Sequence, residues 1–494
     1  MMLKSIICLS KFTKPLSPLY QTYKEIQNLR VNRDLAEMAK FANLIESSPL
    51  VERFDEKNLC LSISLLAEHD IGKKRAIESL GKRILVLPNL SLQGVNQILG
   101  SFAKQIERNA FVAFFCGKVL HVFEEKMKKN CPNRELSNIY WASKILNLPN
   151  ADLLLGDANW DTMDCTDLSL ICAGLMEDTG NELWKKIRVE LLKREHFTRK
   201  DIPSILCSLA CAGMNDRELI LHITDIIHRD RLMNAKNCPA IVWAIATCDF
   251  IHQGILKSAI EILNKEDVGD PMNMRRVTRA FTIWGALPAI ERYIASGIKQ
   301  NSNMSDTLLI WELVSNNMFG LAVKIFRSKS LQVLAKDLAQ DNTIKSQLYY
   351  MYLASLIEPS LLTTSERNFL ITLQPFFSIT ADDMFSSGLH RQASRALHAL
   401  EIDHVSEYKE PITGYIVDMY IQSKNIGIEV QGPFHFVTDI ETGKPKLRAP
   451  DLFKHKILNS VTGMKIIQVT PWNFGPKLKG DNKVHMSRIL AKYS

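Results

Sequence analysis

From about residue 30 to residue 380 the chain places apolar residues at helical spacing, and hardly any stretch alternates as a strand would. Each such helix has one apolar stripe to bury, so helix-on-helix layers are the packing open to it. A degenerate unit recurs, an apolar anchor followed by a pair three and four positions later. It reads at Val95/Ile98/Leu99, Leu136/Ile139/Tyr140, Leu168/Ile171/Cys172, Ile202/Ile205/Leu206, Cys238/Ile241/Val242 and Val277/Ala280/Phe281. Successive offsets of 41, 32, 34, 36 and 39 residues are too uneven for a strict repeat code. They suit the paired helices of an irregular α-helical-repeat solenoid. An irregular α-domain with chance periodicity is the alternative. The clearest unit, 198–229, puts Gly213 where a left-handed cap would end its first helix, and Gly180 stands at the matching break of its neighbour. Base-reading repeats need a fixed pair of side chains at one position in every unit, and none recurs here. Shape or phosphate contact is therefore expected of the array.

The C-terminal fifth changes character. Residues 415–432, YIVDMYIQSKNIGIEVQG, read as two strands about a Ser-Lys-Asn turn at 423–425. Ile416, Asp418 and Tyr420 fall on one face of the first strand, and Val417, Met419 and Ile421 on the other. The second strand carries Ile426, Ile428, Glu429 and Val430 and runs into Gln431-Gly432-Pro433 and His435. Strand pairing can bring Asp418 and Glu429 together. Two acids on neighbouring buried strands are costly to desolvate unless a divalent metal, a basic side chain or RNA-bound ions meet them. The fold class expected is thus mostly α, with repeats over 30–285, a less regular bridging region over 286–384 and a small α/β domain over 385–494.

The order of elements from Ser386 onward resembles the RAP domain, the "RNA-binding domain abundant in Apicomplexans". The residues that carry the likeness are a helix at SSGLHRQASRALHALEI, Glu407 and Tyr408 on a first strand, and Val417-Asp418 on the next. Ile428 to His435, a helix spanning Leu452 to Leu458, and Trp472 on a last strand complete it. The resemblance implies a diverged PD-(D/E)XK restriction-endonuclease-like fold. In active members of that fold an Asp and a Glu hold Mg²⁺, and a Lys two residues past the Glu orients the attacking water. Here those places are Asp418, Glu429 and Gln431, and Gln brings no charge. Lys454 and Lys456 on the following helix could reach the gap, and Glu407 could add a third carboxylate. A retired site that grips an RNA end is the alternative to a catalytic one. His435 reads either as a phosphate contact or as a loop cap, and Trp472 as core or as a base-stacking surface.

Charge distribution bears on the partner. From Phe385 onward fifteen Lys/Arg face ten Asp/Glu, so this fifth holds +5 of the chain's +8. Lys444, Lys446, Arg448, Lys454 and Lys456 form a run just past the acidic pair, with Lys477 and Lys479 beyond. Clustered cations are the footprint of a polyanion, and a solvated charged face is the alternative. All ten cysteines precede residue 250, with no Cys-x-x-Cys and no zinc spacing, so a reducing compartment and no structural zinc are expected. No apolar run is long enough to span a membrane. The basic, hydroxyl-bearing residues 1–24 read as a mitochondrial presequence, or else as a basic tail. The expected function is RNA binding in the mitochondrial matrix, on organellar transcripts or ribosomal RNA, in stability, processing or ribosome assembly. Ribosomal or RNA-processing proteins are the expected protein partners. A Mg²⁺-dependent RNA endonuclease using Asp418, Glu429, Gln431 and Lys454 is one alternative, with Asp418 and Glu429 as the metal ligands. A structural subunit of a mitochondrial ribonucleoprotein is another.

Overall fold

A computed structural model describes residues 26, 28, 35–47, 51–52, 54–68, 74–87, 90–104, 110–126, 131–156, 158–265, 270–300, 307–328, 342–377, 387–474 and 481–492. Two compact units divide the chain, Met1–Met214 and Asn215–Ser494. The presequence expected at 1–24 lies outside the described residues, as do Lys477 and Lys479. Among the described residues the protein is mostly helical, with a small sheet region near its C-terminal end. No described helix is long and apolar enough to cross a membrane.

In the first unit five helices pack each against the next: α1 (Glu56–Glu68), α2 (Leu92–Ala103), α3 (Asn133–Ile145), α4 (Cys165–Gly174) and α5 (Asp201–Cys211). The anchors read from the sequence are buried in all of those that carry one. Side chains tie neighbouring helices at nearly constant sequence distance. Ser64 Oγ donates to the Gln97 carbonyl at 3.4 Å, and Ser204 Oγ to the Ser169 carbonyl at 3.2 Å. Arg134 pairs with Asp164 and Asp167, both at 2.7 Å, and Lys144 with Asp178 at 2.9 Å. The offset seen in the sequence is therefore the step from one helix to its packed neighbour. Asp164 and Asp167 also form a reciprocal capping box at the start of α4. Gly213, at φ 65°, provides the left-handed turn expected after α5.

The second unit has its own row, α6 (Cys238–Thr247), α7 (Pro271–Trp284), α8 (Thr307–Ser315) and α9 (Asn342–Ile357), again packed neighbour on neighbour. A two-residue strand, β1 (Phe250–Ile251), follows α6. Trp284, fully buried, donates its indole N–H to the Phe250 carbonyl at 2.8 Å. The first three helices of this row end alike, each followed within two residues by a left-handed position. These are Asp249 (φ 64°), Gly285 (φ 63°) and Asn317 (φ 60°). The chain then closes back, Ala286 N to Phe281 O and Met318 N to Leu313 O, both at 2.9 Å.

The sheet domain follows the order read from the sequence: helix, antiparallel strands, helix, strand, helix. Its elements are α10 (Gly388–Ala399), β2 (Val405–Lys409), β3 (Ile416–Ile421), β4 (Ile426–Val430), β5 (Phe436–Asp439), β6 (Pro445–Leu447), α11 (Ala449–Thr462), β7 (Lys465–Val469) and α12 (Asn482–Leu490). The main sheet runs β2-β3-β4-β7, antiparallel except for the parallel β4/β7 pair. A parallel pair needs a crossover, and the connection containing α11 supplies it. Ala393, Ala396 and Leu397 of α10, with Met486 and Ile489 of α12, share a core with Met419, Ile421, Ile428, Ile467, Val469 and Phe474.

This domain is continuous with the helices before it. Strand β5 pairs in parallel with β1, Phe250 opposite Thr438 and Ile251 opposite Asp439, and β6 completes a second sheet. Arg217 Nε donates to the Ile440 carbonyl at 3.0 Å, and Phe453 of α11 lies against Tyr350 of α9 at 5.9 Å between ring centroids. Sequence character changes at 285/286 and 384/385, whereas the compact body begins at Asn215. The strand that makes the join is two residues long, too short to show alternation.

Arg448 forms an ion pair with Asp249, and both side chains are mostly buried. Burial raises the Asp249 pKa and the Arg448 charge opposes that. Arg448→Ala should cost about 1–3 kcal/mol, because it strands a desolvated carboxylate. The Asp249→Ala/Arg448→Ala double variant should lose less than the two single losses added, as read by chemical denaturation.

Candidate functional site

Register builds the site. Met419 pairs with Ile428, so Asp418 of β3 stands opposite Glu429 of β4. Glu429 in turn pairs with Gln468 of β7, and Glu407 of β2 falls between the Ser406/Met419 and Tyr408/Val417 pairs, level with Asp418. Glu407, Asp418, Glu429 and Gln468 thus form one row across four strands. Neighbours in such a row are about 5 Å apart at Cβ. Glu407 holds φ at 51°, a left-handed conformation in the middle of a strand. That is costly for a residue other than glycine.

Each acid is held differently. Asp418 Oδ2 accepts the Val430 backbone N–H. Glu429 is buried, 6% exposed; Lys454 Nζ from α11 donates to its Oε2 at 2.8 Å and lies 2.7 Å from Oε1, which has no hydrogen-bond donor among the described residues. Burial, helped by Asp418 and Asp451, pushes the Glu429 pKa to about 7, against the pull of Lys454. Burial works against the Lys454 charge, but Glu429, Asp418 and Asp451 together hold its pKa above the ordinary value. Glu407 is raised by burial and by Asp418. One of its oxygens, Oε2, is buried without a hydrogen bond among the described residues.

Imidazoles surround the row. His390, at the start of α10, places Nε2 at 3.4 Å from Glu407 Oε1 and 3.3 Å from the Asp418 carbonyl. Ligand atoms of His390, Glu407 and Asp418 all lie within 4.8 Å of one another. His435 sets Nδ1 at 2.9 Å from Asp451 Oδ1, and that bond raises its pKa. His455 is pushed down to about 4 by burial and by Lys454, so it is neutral near pH 7. It lies between Gln431 Nε2 at 3.3 Å and Gln468 Nε2 at 3.4 Å. A neutral imidazole has a single N–H, so one of these amides must turn its oxygen inward. Gln431, whose Oε1 has no partner among the described residues, is the better placed.

These donors bear on the Mg²⁺ that the resemblance implied. Carboxylates are the hard ligands such an ion takes, usually few in number and completed by water. Asp418 and Glu407 fit that description, the latter with a buried oxygen unbonded. Glu429 would have to release Lys454 from one oxygen. Gln431 faces His455, and Lys454 brings to Glu429 the charge that Gln431 lacks.

The predicted basic run is mostly engaged. Lys446 Nζ donates to the Trp284 carbonyl at 2.9 Å, Arg448 meets Asp249, and Lys456 donates to Asn317 Oδ1. These three cations meet the C-terminal ends of α7, α6 and α8, where unpaired carbonyls leave partial negative charge. Lys454 belongs to Glu429. Lys444 is exposed at the β5/β6 turn. Trp472 is 48% exposed, with Phe436 perpendicular to it at 4.9 Å. Among the residues of and around the row, the sequence alone does not point to His390, Asp451, His455 or Gln468. His390 opens the very helix quoted for the resemblance, but helical spacing alone does not show that it faces β2 and β3.

No family model matches this chain, and no curated protein matches it.

Removing Lys454 alone would strand a buried acid. Above pH 7, where Glu429 is ionised, Lys454→Met should destabilise by about 3–5 kcal/mol, and the Lys454→Met/Glu429→Leu variant should recover most of that loss. Denaturant titration of both variants checks it. In the folded chain the Glu429 pKa lies near 7, above its ordinary 4.5, so between these values the folded state binds more proton than the unfolded. Stability contributed by Glu429 is then greatest at the acid end and falls as pH rises towards 7. A pH series against Glu429→Gln should lack this slope in the variant.

Proposed function

We propose that this protein is a RAP-domain RNA-binding protein of the mitochondrial matrix. It acts on organellar transcripts or ribosomal RNA, in their stability, processing or assembly into ribosomes. The single observation that supports this most is the row Glu407–Asp418–Glu429 with Lys454 and His435 at its side. A small sheet has no packing reason to desolvate acids this way, and such clusters of perturbed charge are typical of functional sites. The packed rows of helices in each unit are read as two-layer repeats that add further RNA or protein surface. The basic N-terminal residues support the organellar address. Crosslinking in cells, followed by sequencing of the attached RNA, should recover mitochondrial transcripts or ribosomal RNA. Affinity of the purified chain for a labelled RNA oligonucleotide should fall as salt rises. Recovery of no RNA, together with no binding by the purified chain, would sink the reading.

A second reading, a Mg²⁺-dependent RNA endonuclease, is favoured by the approach of Lys454 to Glu429 within 2.7 Å. It supplies from α11 the cation missing at Gln431. The ion would be held by Asp418 with Glu407 or Glu429, and when bound it would activate water and stabilise charge on the phosphate. Glu429→Gln should then abolish Mg²⁺-dependent cleavage while RNA binding persists. A chain that binds RNA but never cleaves it rules this reading out. The cations committed to helix ends favour a third reading, a structural subunit of a ribonucleoprotein. It expects little RNA affinity from the isolated chain and co-sedimentation with a large particle.

A further inference from the structure

Strands β4 and β7 run parallel, so the segments that leave them emerge at the same edge of the sheet. Gln431 N still donates to the Val469 carbonyl at 2.9 Å, one step past the last strand pair. Beyond it the chain makes a tight turn over Pro433–His435, pinned by His435 N to Gly432 O at 3.2 Å and Arg448 N to His435 O at 3.1 Å. This fixed turn holds Phe434 out, 76% exposed. Three residues past β7 stands Trp472, 48% exposed, its ring set at 90° to Phe436. In the chain His435 stands between Phe434 and Phe436; Asp451 takes its Nδ1, and among the described residues its Nε2 is left to meet a ligand. Exposed aromatic rings one at a time need no explanation. Two of them, on the segments that leave the neighbouring strands β4 and β7, with an imidazole that can carry charge next to Phe434 in the chain, offer the stacking and phosphate-binding groups that a single strand takes.

We propose that Phe434, His435 and Trp472 form a subsite for unpaired nucleotides. The aromatic rings stack on bases and His435 Nε2–H donates to a phosphate oxygen. The inference rests on the RNA-binding reading and narrows it to single-stranded segments, because paired bases hide the faces that a ring would cover.

The test compares three labelled probes with the full chain by fluorescence anisotropy: a ten-residue oligouridylate, an abasic ribose-phosphate decamer of equal charge, and a blunt RNA duplex. The oligouridylate should bind at least about tenfold more tightly than the abasic strand or the duplex, as one good stack implies. Phe434→Ala and Trp472→Ala should each weaken the oligouridylate about 5- to 100-fold and leave the abasic strand unchanged. Trp472→Phe should retain most of the affinity, which separates stacking from misfolding, and Phe434 is too exposed for its loss to unfold the domain. His435→Gln should weaken base-bearing and abasic strands alike. Equal affinity of the wild type for the oligouridylate and the abasic strand overturns the subsite while RNA binding stands. Binding to none of the probes overturns both.

Discussion

Everything at the C-terminal end turns on how one buried carboxylate, Glu429, is kept in place. It sits at the centre of a four-strand row, out of water, with Asp418 beside it. Lys454 makes that arrangement tolerable, reaching down from the crossover helix to both Glu429 oxygens. The contact fixes more than charge. It sets the rotation of α11 on the sheet, and with it the directions of Asp451, His455 and Lys456. Through Asp451 it also sets the ring of His435. The imidazoles, the acids and the crossover helix are parts of one interlocked arrangement.

A second constraint joins this domain to the helices that precede it. Helices α6, α7 and α8 each present a C-terminal end, with a left-handed residue and carbonyls lacking intrahelical donors. Each end receives one cation from the stretch 446–456: Arg448 at Asp249, Lys446 at the Trp284 carbonyl, Lys456 at Asn317. Helix ends recurring at intervals of 36 and 32 residues make a row of negative sites, and the basic run is matched to that row. Three of the cations that suggested a polyanion are therefore answered within the chain, while Lys444 stays exposed. His435 and the exposed rings of Phe434 and Trp472 lie on the segments that leave β4 and β7.

Much of this was legible, and the unread parts share a cause. Alternation along 416–421 separates the two faces of β3, and the turn at 423–425 lets strand pairing bring Asp418 and Glu429 together, as the register does. The helical anchors needed only local spacing to be recognised, and all are buried. By contrast, the destination of Lys454 depends on the rotation of a helix twenty-five residues away. The sequence shows a lysine on α11 but not which of several carboxylates it meets. Capping carbonyls such as that of Trp284 leave no mark in the sequence, because every residue has one. The left-handed Glu407 is equally silent, since glycine or asparagine would have been expected there. Phe250-Ile251 is too short to betray its pairing with β5.

The row also carries an argument about purpose that stability cannot supply. A buried ion pair is seldom better for stability than well-packed apolar residues of similar volume. Here the pair comes with a second expense at the same level of the sheet, the strained backbone of Glu407, and with a third, a buried Glu407 oxygen lacking a donor. Scaffold residues would be free to relax away from any of the three. Their coincidence on one line across β2, β3 and β4, facing imidazoles on two different elements, is what a site for handling charge requires. It is a poor way to build a sheet that only has to hold together.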